Sequence, residues 1–298
     1  MKKNWLVTSG FSEITETEIK YIPKTIKDEL NEDRIVNSIV STDIEFENGT
    51  IEFEVQSKDI YGICQLILNS DTGPDLNVGL NTSGYLYGIV QFNRKTNKWE
   101  LLKGVGEQET FDTSKFYKLK ITVTGSIISL FVNGILIASA IENVRKGQLQ
   151  IAFSSRKEII VKNFKVNLLK PKAFIVMQFT EDYNQLYTEV IKPVCESYGL
   201  EVERADEFYT ATPIIKDIVK SIKNASVIIA EITPDNPNVF YEVGYAHAIE
   251  KPTILLSDIK RDKLPFDISG FRTLFYENTI AGKTKVERNL KKFLENIF

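Results

Sequence analysis

Ser226-Val-Ile-Ile-Ala-Glu-Ile-Thr-Pro-Asp-Asn-Pro-Asn-Val-Phe-Tyr-Glu-Val-Gly-Tyr-Ala-His-Ala-Ile-Glu-Lys-Pro-Thr-Ile-Leu-Leu-Ser-Asp258 decides how the chain is read. Two short apolar runs, Val227 to Ile232 and Thr253 to Leu256, have the length and composition of buried strands. Between them lie a polar loop and one short helical segment, so the stretch reads as a βαβ unit. In open α/β sheets ligands sit outside the carboxyl ends of the strands. Glu231, Asp235, Asn236 and Asn238 fall there, and Glu242 follows in the first turns of the helix.

Around this stretch is a chain of 298 residues, 43% of them hydrophobic, enough to bury a full core, and its length favours two domains. The start carries lysines but no sustained apolar run, and no segment approaches a membrane span, so a soluble cytoplasmic protein is expected. Cys64 and Cys195 are too few for a disulfide framework or a cysteine metal cluster. A net charge of −3 argues against a partner bound by phosphate neutralisation, so no nucleic acid is expected.

From about Ile35 to Val166 the pattern has period two. Tyr117, Leu119, Ile121 and Val123 alternate with Lys118, Lys120 and Thr122, which predicts strands with one wet and one buried face. Asn133-Gly134, between Ile127–Val132 and Ile135–Ala140, predicts a hairpin with a type I′ turn. Many short strands without helical periodicity indicate a sandwich. Residues 14 to 33 read as a short helix or an irregular lead-in. The order Phe46 to Val55, Phe116 to Val123, Leu130 to Gly134 and Phe164 to Val166 resembles the concanavalin-like or laminin-G-like jelly roll. That resemblance implies binding of sugars, calcium or protein. Trp99, Tyr85 and Tyr87 are aromatics that could stack on a sugar, and Asp71, Asp75 and Asp112 could ligate a cation, although loop aspartates and sandwich aromatics usually serve turns and packing. With no export signal, a sensing, docking or oligomerising surface is the expected role of this half, with a protein or small-molecule trigger and a homo-oligomer as possible partners.

Pro171 marks a linker, after which strand and helix alternate. Ala173–Phe179, Leu200–Arg204, Val227–Ile232, Thr253–Leu256 and Phe271–Tyr276 read as strands. Leu186, Tyr187, Val190, Ile191, Val194 and Tyr198 form a helical stripe that Pro193 bends or shifts. Thr212-Pro213 opens a second helix and residues 284 to 298 form the last. The expected fold class is therefore two domains: an all-β jelly-roll sandwich over 1–170 and an α/β flavodoxin-like, doubly wound parallel sheet of order 2-1-3-4-5 over 171–298. Its switch point places Met177, Gln178 and Phe179 across one crevice from Glu231. Neither a dinucleotide fingerprint nor a P-loop is present, which disfavours a dehydrogenase or an ATPase.

Phe174-Ile-Val-Met-Gln-Phe179, Arg204-Ala-Asp-Glu207, Ile228-Ile-Ala-Glu-Ile-Thr233 and Asn236 to Ala248 resemble the nucleoside 2-deoxyribosyltransferase-like branch of TIR-like domains. The resemblance implies cleavage or exchange of N-glycosidic bonds, and several bacterial relatives are defence effectors that destroy NAD. It places the catalytic glutamate at Glu242 and a base- or ribose-holding acid at Glu231, one methylene longer than the family's usual aspartate. Where transferases carry an aspartate, this chain has Asn236.

A ribosyl–nitrogen bond breaks through an oxocarbenium-like state, which an ionised carboxylate beside the anomeric carbon stabilises. An unperturbed glutamate, with a pKa of about 4.3, is charged at neutral pH, so Glu242 would need only placement. Nicotinamide leaves NAD as a neutral base without a general acid; a purine would need protonation, for which Asp206 or Asp235 are the candidates. On a helix Asn238 and Glu242 would share one face and Val239, Val243 and Ala246 another, with Gly244 permitting close approach to a strand. Asn236 or Asn238 could instead cap the helix. Tyr241 could line the pocket or the surface, and His247, the single histidine, sits roughly 140° from Glu242 and reads as a packing residue. The expected function is an N-ribosyl hydrolase acting on NAD as substrate, without cofactor or metal. The alternatives are a non-catalytic nucleotide-binding sensor and a nucleoside 2-deoxyribosyltransferase.

Overall fold

The computed structural model describes residues 4–27, 31–70, 75–94, 96–207, 213–261 and 263–298. Asp71 and Thr212, singled out above, lie outside them.

Among the described residues, two antiparallel seven-stranded sheets form a jelly-roll sandwich. One runs in the order Trp5–Ser9, Ser38–Phe46, Gly147–Ser154, Ile63–Leu68, Leu76–Thr82, Tyr85–Asn93 and Lys98–Val105. In the other, the strands are Ile135–Ile141, Ile127–Val132, Tyr117–Thr124, Gly49–Ser57, Ile159–Leu168, Glu18–Tyr21 and Ser12–Ile14. The period-two pattern sets the register. Leu119, Ile121 and Val123 point into a core with Phe53, Val55, Leu66, Leu80, Ile151 and Phe153, while Lys118 pairs with Glu52 on the wet face. Asn133 and Gly134 hold φ of 49° and 84°, the two positive values a type I′ turn demands. Tyr85 and Trp99 are exposed, whereas Tyr87 belongs to the core. Asp75 pairs with Arg94, and Asp112 accepts from Ser114 and pairs with Lys115, so Asp112 completes a turn.

The second compact unit is built on five parallel strands, Lys172–Val176, Glu201–Arg204, Val227–Glu231, Thr253–Asp258 and Thr273–Tyr276. Glu201–Arg204 lies at one edge beside Lys172–Val176, followed by the other three in chain order. Val227–Glu231 is buried throughout because helices cover both faces, which explains its uninterrupted apolar run. Ile175, Ile229, Leu256 and Tyr276 pack on one face with Tyr187, Ile191, Val286 and Leu290. On the other, Phe174, Val176, Ile228 and Ala230 pack with Ile218, Ile222, Val239 and Val243. The helical stripe before Pro193 contains a π-helical turn, Tyr187–Ile191. Proline offers no N–H to the preceding turn, and the wider turn absorbs that loss.

Two expectations are corrected. The fold class is mostly β, 46% strand against 23% helix, rather than a β half joined to an α/β half at residue 170. By contact the chain forms two compact units, Met1–Val123 with Ile127–Leu169 and Thr124–Ser126 with Lys170–Phe298. Part of the excess strand comes from residues 14 to 33. The described residues among them form no helix: Glu18–Tyr21 pairs with Ile159–Leu168, and Thr25–Lys27 with Asp33–Ile35. Ile19 and Tyr21 enter the sandwich core while Glu18 and Lys20 stay at its surface, an alternation too short to be read against its polar surroundings. No helix among the described residues is long and apolar enough to cross a membrane.

Candidate functional site

Glu242 lies on the helix Pro237–Ala248. Asn236 caps that helix, its side-chain oxygen accepting from the Asn238 N–H at 3.0 Å, and Pro237 stands at the first turn, where a missing N–H costs nothing. The Asn236 amide also donates to Gln178 Oε1 at 3.4 Å, which ties the end of the first strand to the start of the helix.

The buried stripe of this helix is Val239, Glu242, Val243 and Ala246. Glu242 therefore shares a face with the packing residues, not with Asn238, which is exposed. The residue is 9% exposed, and the described residues give its carboxylate no hydrogen bond or ion pair. Burial alone pushes its pKa up from 4.5 to about 7. The expectation of a glutamate charged without perturbation is thus corrected, because helix packing takes most of the residue out of water. Gly244 faces open space, so it does not serve close approach to a strand. Tyr241 is 53% exposed and lies on the surface. His247 stacks on Phe271 with ring centroids 3.9 Å apart, and burial lowers its pKa.

Glu231 is elsewhere. It is 0% exposed and follows Ala230, whose side chain belongs to the face that carries the Glu242 helix, so Glu231 points to the opposite face. There Tyr276 donates to its Oε1 at 3.0 Å, and Thr233 donates through its hydroxyl and through its N–H at 3.1 Å. Burial raises the Glu231 pKa to about 7, helped by the Asp258 charge and opposed by these hydrogen bonds. The sequence reading placed Glu231 and Glu242 around one crevice; strand alternation separates them.

The other predicted residues are largely engaged. Met177 is buried on the Glu231 face. Asp206 accepts a two-pronged bond from Arg204, Nε to Oδ1 at 2.6 Å and Nη2 to Oδ2 at 2.5 Å, and Arg204 also donates to Asn184 Oδ1 at 2.9 Å. The same guanidinium lies 4.2 Å from the Tyr187 ring centroid and 5.3 Å from that of Phe179. Asp235 pairs with Arg261 at 2.5 Å. Arg261, which sequence reasoning missed, also donates from Nη1 to the carbonyls of Ile232 and Thr233 at 2.6 and 2.5 Å, clamping the loop that leads into the Glu242 helix. In sequence it sits among Lys260 and Lys263 and reads as a solvated turn. Among the described residues, no group of histidine, cysteine and carboxylate side chains could hold a metal ion.

No family model matches the chain, and no curated protein matches it. Solved structures similar to part of it include the carbohydrate-binding module CBM66 from Bacillus subtilis, at 13% identity and a TM-score of 0.43, covering 54% of this chain and 92% of that one. Bacillus licheniformis β-glucanase matches at 11% identity and a TM-score of 0.40, over 56% of this chain and 92% of that chain. The apo Crh5 transglycosylase matches at 11% and 0.39, over 56% and 80%.

Proposed function

We propose that the chain is an N-ribosyl hydrolase that cleaves NAD, with Glu242 as the group facing the reacting carbon. The observation that carries this reading is a glutamate buried on a helix stripe with no partner among the described residues. A lone buried carboxylate costs stability, and such groups cluster where chemistry needs them. In this reading the bond from the ribose anomeric carbon to the nicotinamide nitrogen breaks, and its electron pair leaves with neutral nicotinamide. Ionised Glu242 stabilises the oxocarbenium-like cation, water adds, and the water proton passes to solvent. The positive nicotinamide ring of bound NAD favours the ionised form and so offsets the effect of burial.

Within this proposal the sandwich senses, docks or assembles, and the activity stays silent in the cytoplasm until a trigger arrives, as a bacterial defence effector requires. Two observations favour a second reading, nucleotide binding without turnover: Asp206 is held by Arg204, and Glu231 faces away from Glu242. A transferase reading is weaker, since Asn236 is occupied as a helix cap. Incubating the protein with NAD, and separately with deoxynucleosides plus free bases, beside Glu242→Gln separates the three. Release of nicotinamide that the variant loses supports the hydrolase. Tight NAD binding without release under assembling conditions selects the second reading, and base exchange without net NAD loss selects the transferase.

A further inference from the structure

On the sheet face opposite Glu242, a cavity of about 390 Å³ opens at the carboxyl ends of the last three parallel strands. Its volume falls in the range of small-molecule sites, roughly 300–1,000 Å³. We propose that it binds a small organic ammonium ion and that occupancy bears on the Glu242 helix.

The chemistry of the wall carries the assignment. Asp182, Glu189, Asp258 and Glu277 line the cavity against Lys260 and Lys283, and Lys283 is already engaged by Glu189 at 3.0 Å. Asp258 is the most telling of these. It is 7% exposed, its Oδ1 accepts from the Lys260 N–H at 2.9 Å, and the described residues give its Oδ2 no partner. Behind the wall stands a second buried carboxylate, Glu231, screened by Thr233 and Tyr276, both of which line the cavity. An anion would meet this excess of carboxylates unfavourably, whereas an ammonium would complete it. Leu186, Val190 and Val286 supply an apolar wall that a hydrated metal ion would leave unused and an alkyl chain would cover.

Thr233 connects the two faces. Its hydroxyl accepts from the Asp258 N–H at 2.8 Å, and its carbonyl is held by Arg261 at the start of the loop that ends in Asn236, the cap of the Glu242 helix. A ligand that rearranges Asp258 therefore acts on the loop that sets the helix. This coupling rests on the role proposed for Glu242; binding in the cavity does not.

The test is isothermal titration calorimetry of the full chain with putrescine and with butylamine, beside inorganic phosphate and ADP-ribose. Binding of an amine, unchanged in Glu242→Gln and weakened about tenfold or more by Asp258→Asn and by the exposed-site variant Glu277→Gln, is the expected result, tenfold being the effect of losing one charge-assisted contact. Glu277→Gln guards against a folding defect in Asp258→Asn. No heat from either amine, equal binding of phosphate at this site, or amine binding that both variants retain overturns the proposal. Because Glu242→Gln keeps the cavity, failure here is distinguishable from failure of the hydrolase reading.

Discussion

Glu231 and Glu242 serve opposite faces of one parallel sheet. Glu231 is held in place by Tyr276 and Thr233, whereas Glu242 is buried with no partner among the described residues. Burial raises both to about 7. One carboxylate is therefore tied into the scaffold and the other is not.

The partnerless state of Glu242 has a stability consequence. Its folded pKa of about 7 lies above the unfolded value of 4.5, so the protonated form is favoured on folding. The penalty is absent below about 4.5, grows between 4.5 and 7, and is complete above about 7. By linkage it amounts to about 3 kcal/mol. Glu242→Gln should therefore stabilise the protein by on the order of 1–3 kcal/mol at alkaline pH, a gain that fades toward the acid end. Urea unfolding of both proteins across this range measures it; a variant less stable than wild type at alkaline pH contradicts it.

Tyr276→Phe removes one of the donors that hold Glu231. The loss should cost about 1–2 kcal/mol and raise the Glu231 pKa further. Nicotinamide release should stay within a few-fold of wild type, since Tyr276 and Glu231 lie across the sheet from Glu242. Thermal unfolding and an NAD assay read the two effects separately. A collapse of activity with stability intact would return Glu231 to the reacting site.

Arg261 positions the loop before the Glu242 helix through two carbonyls and Asp235. Arg261→Lys keeps the charge but not the planar fork. It should destabilise by about 1–3 kcal/mol and lower kcat more than it changes KM. Asp235→Asn, with its side chain largely exposed, should cost less than about 1 kcal/mol. Equal effects of the two substitutions would show that the ion pair, not the carbonyl clamp, holds the loop.

Much of this architecture was legible in sequence because its signals are local. The Asn133-Gly134 turn, the alternation of Tyr117 to Val123 and the apolar run Val227 to Ile232 each announce their surroundings within a few residues. The strands Glu18–Tyr21 and Thr25–Lys27 were missed because a short strand among polar residues has too few alternations to read. At the site, the cap at Asn236 is one of two that the local sequence offered, and Glu242 was singled out by the resemblance, not by spacing. What spacing left open is which face of the sheet a strand-end residue serves and which charges find partners. Asp235 and Arg261, 26 residues apart, meet across loops, which linear order does not encode, whereas Arg204 and Asp206 are near neighbours whose pairing depends on how the chain turns after the strand.

The central claim is that ionised Glu242 carries the chemistry, and the pH dependence of nicotinamide release from NAD, measured from about pH 5 to about pH 9 for wild type and Glu242→Gln, tests it most directly. The ionised form is the active one, so kcat/KM should rise with pH through a single step near 7, and kcat should rise at lower pH because bound nicotinamide favours the carboxylate. Glu242→Gln should lose at least about a hundredfold in kcat. Release that persists in Glu242→Gln, or a wild-type profile flat through neutral pH, would contradict it.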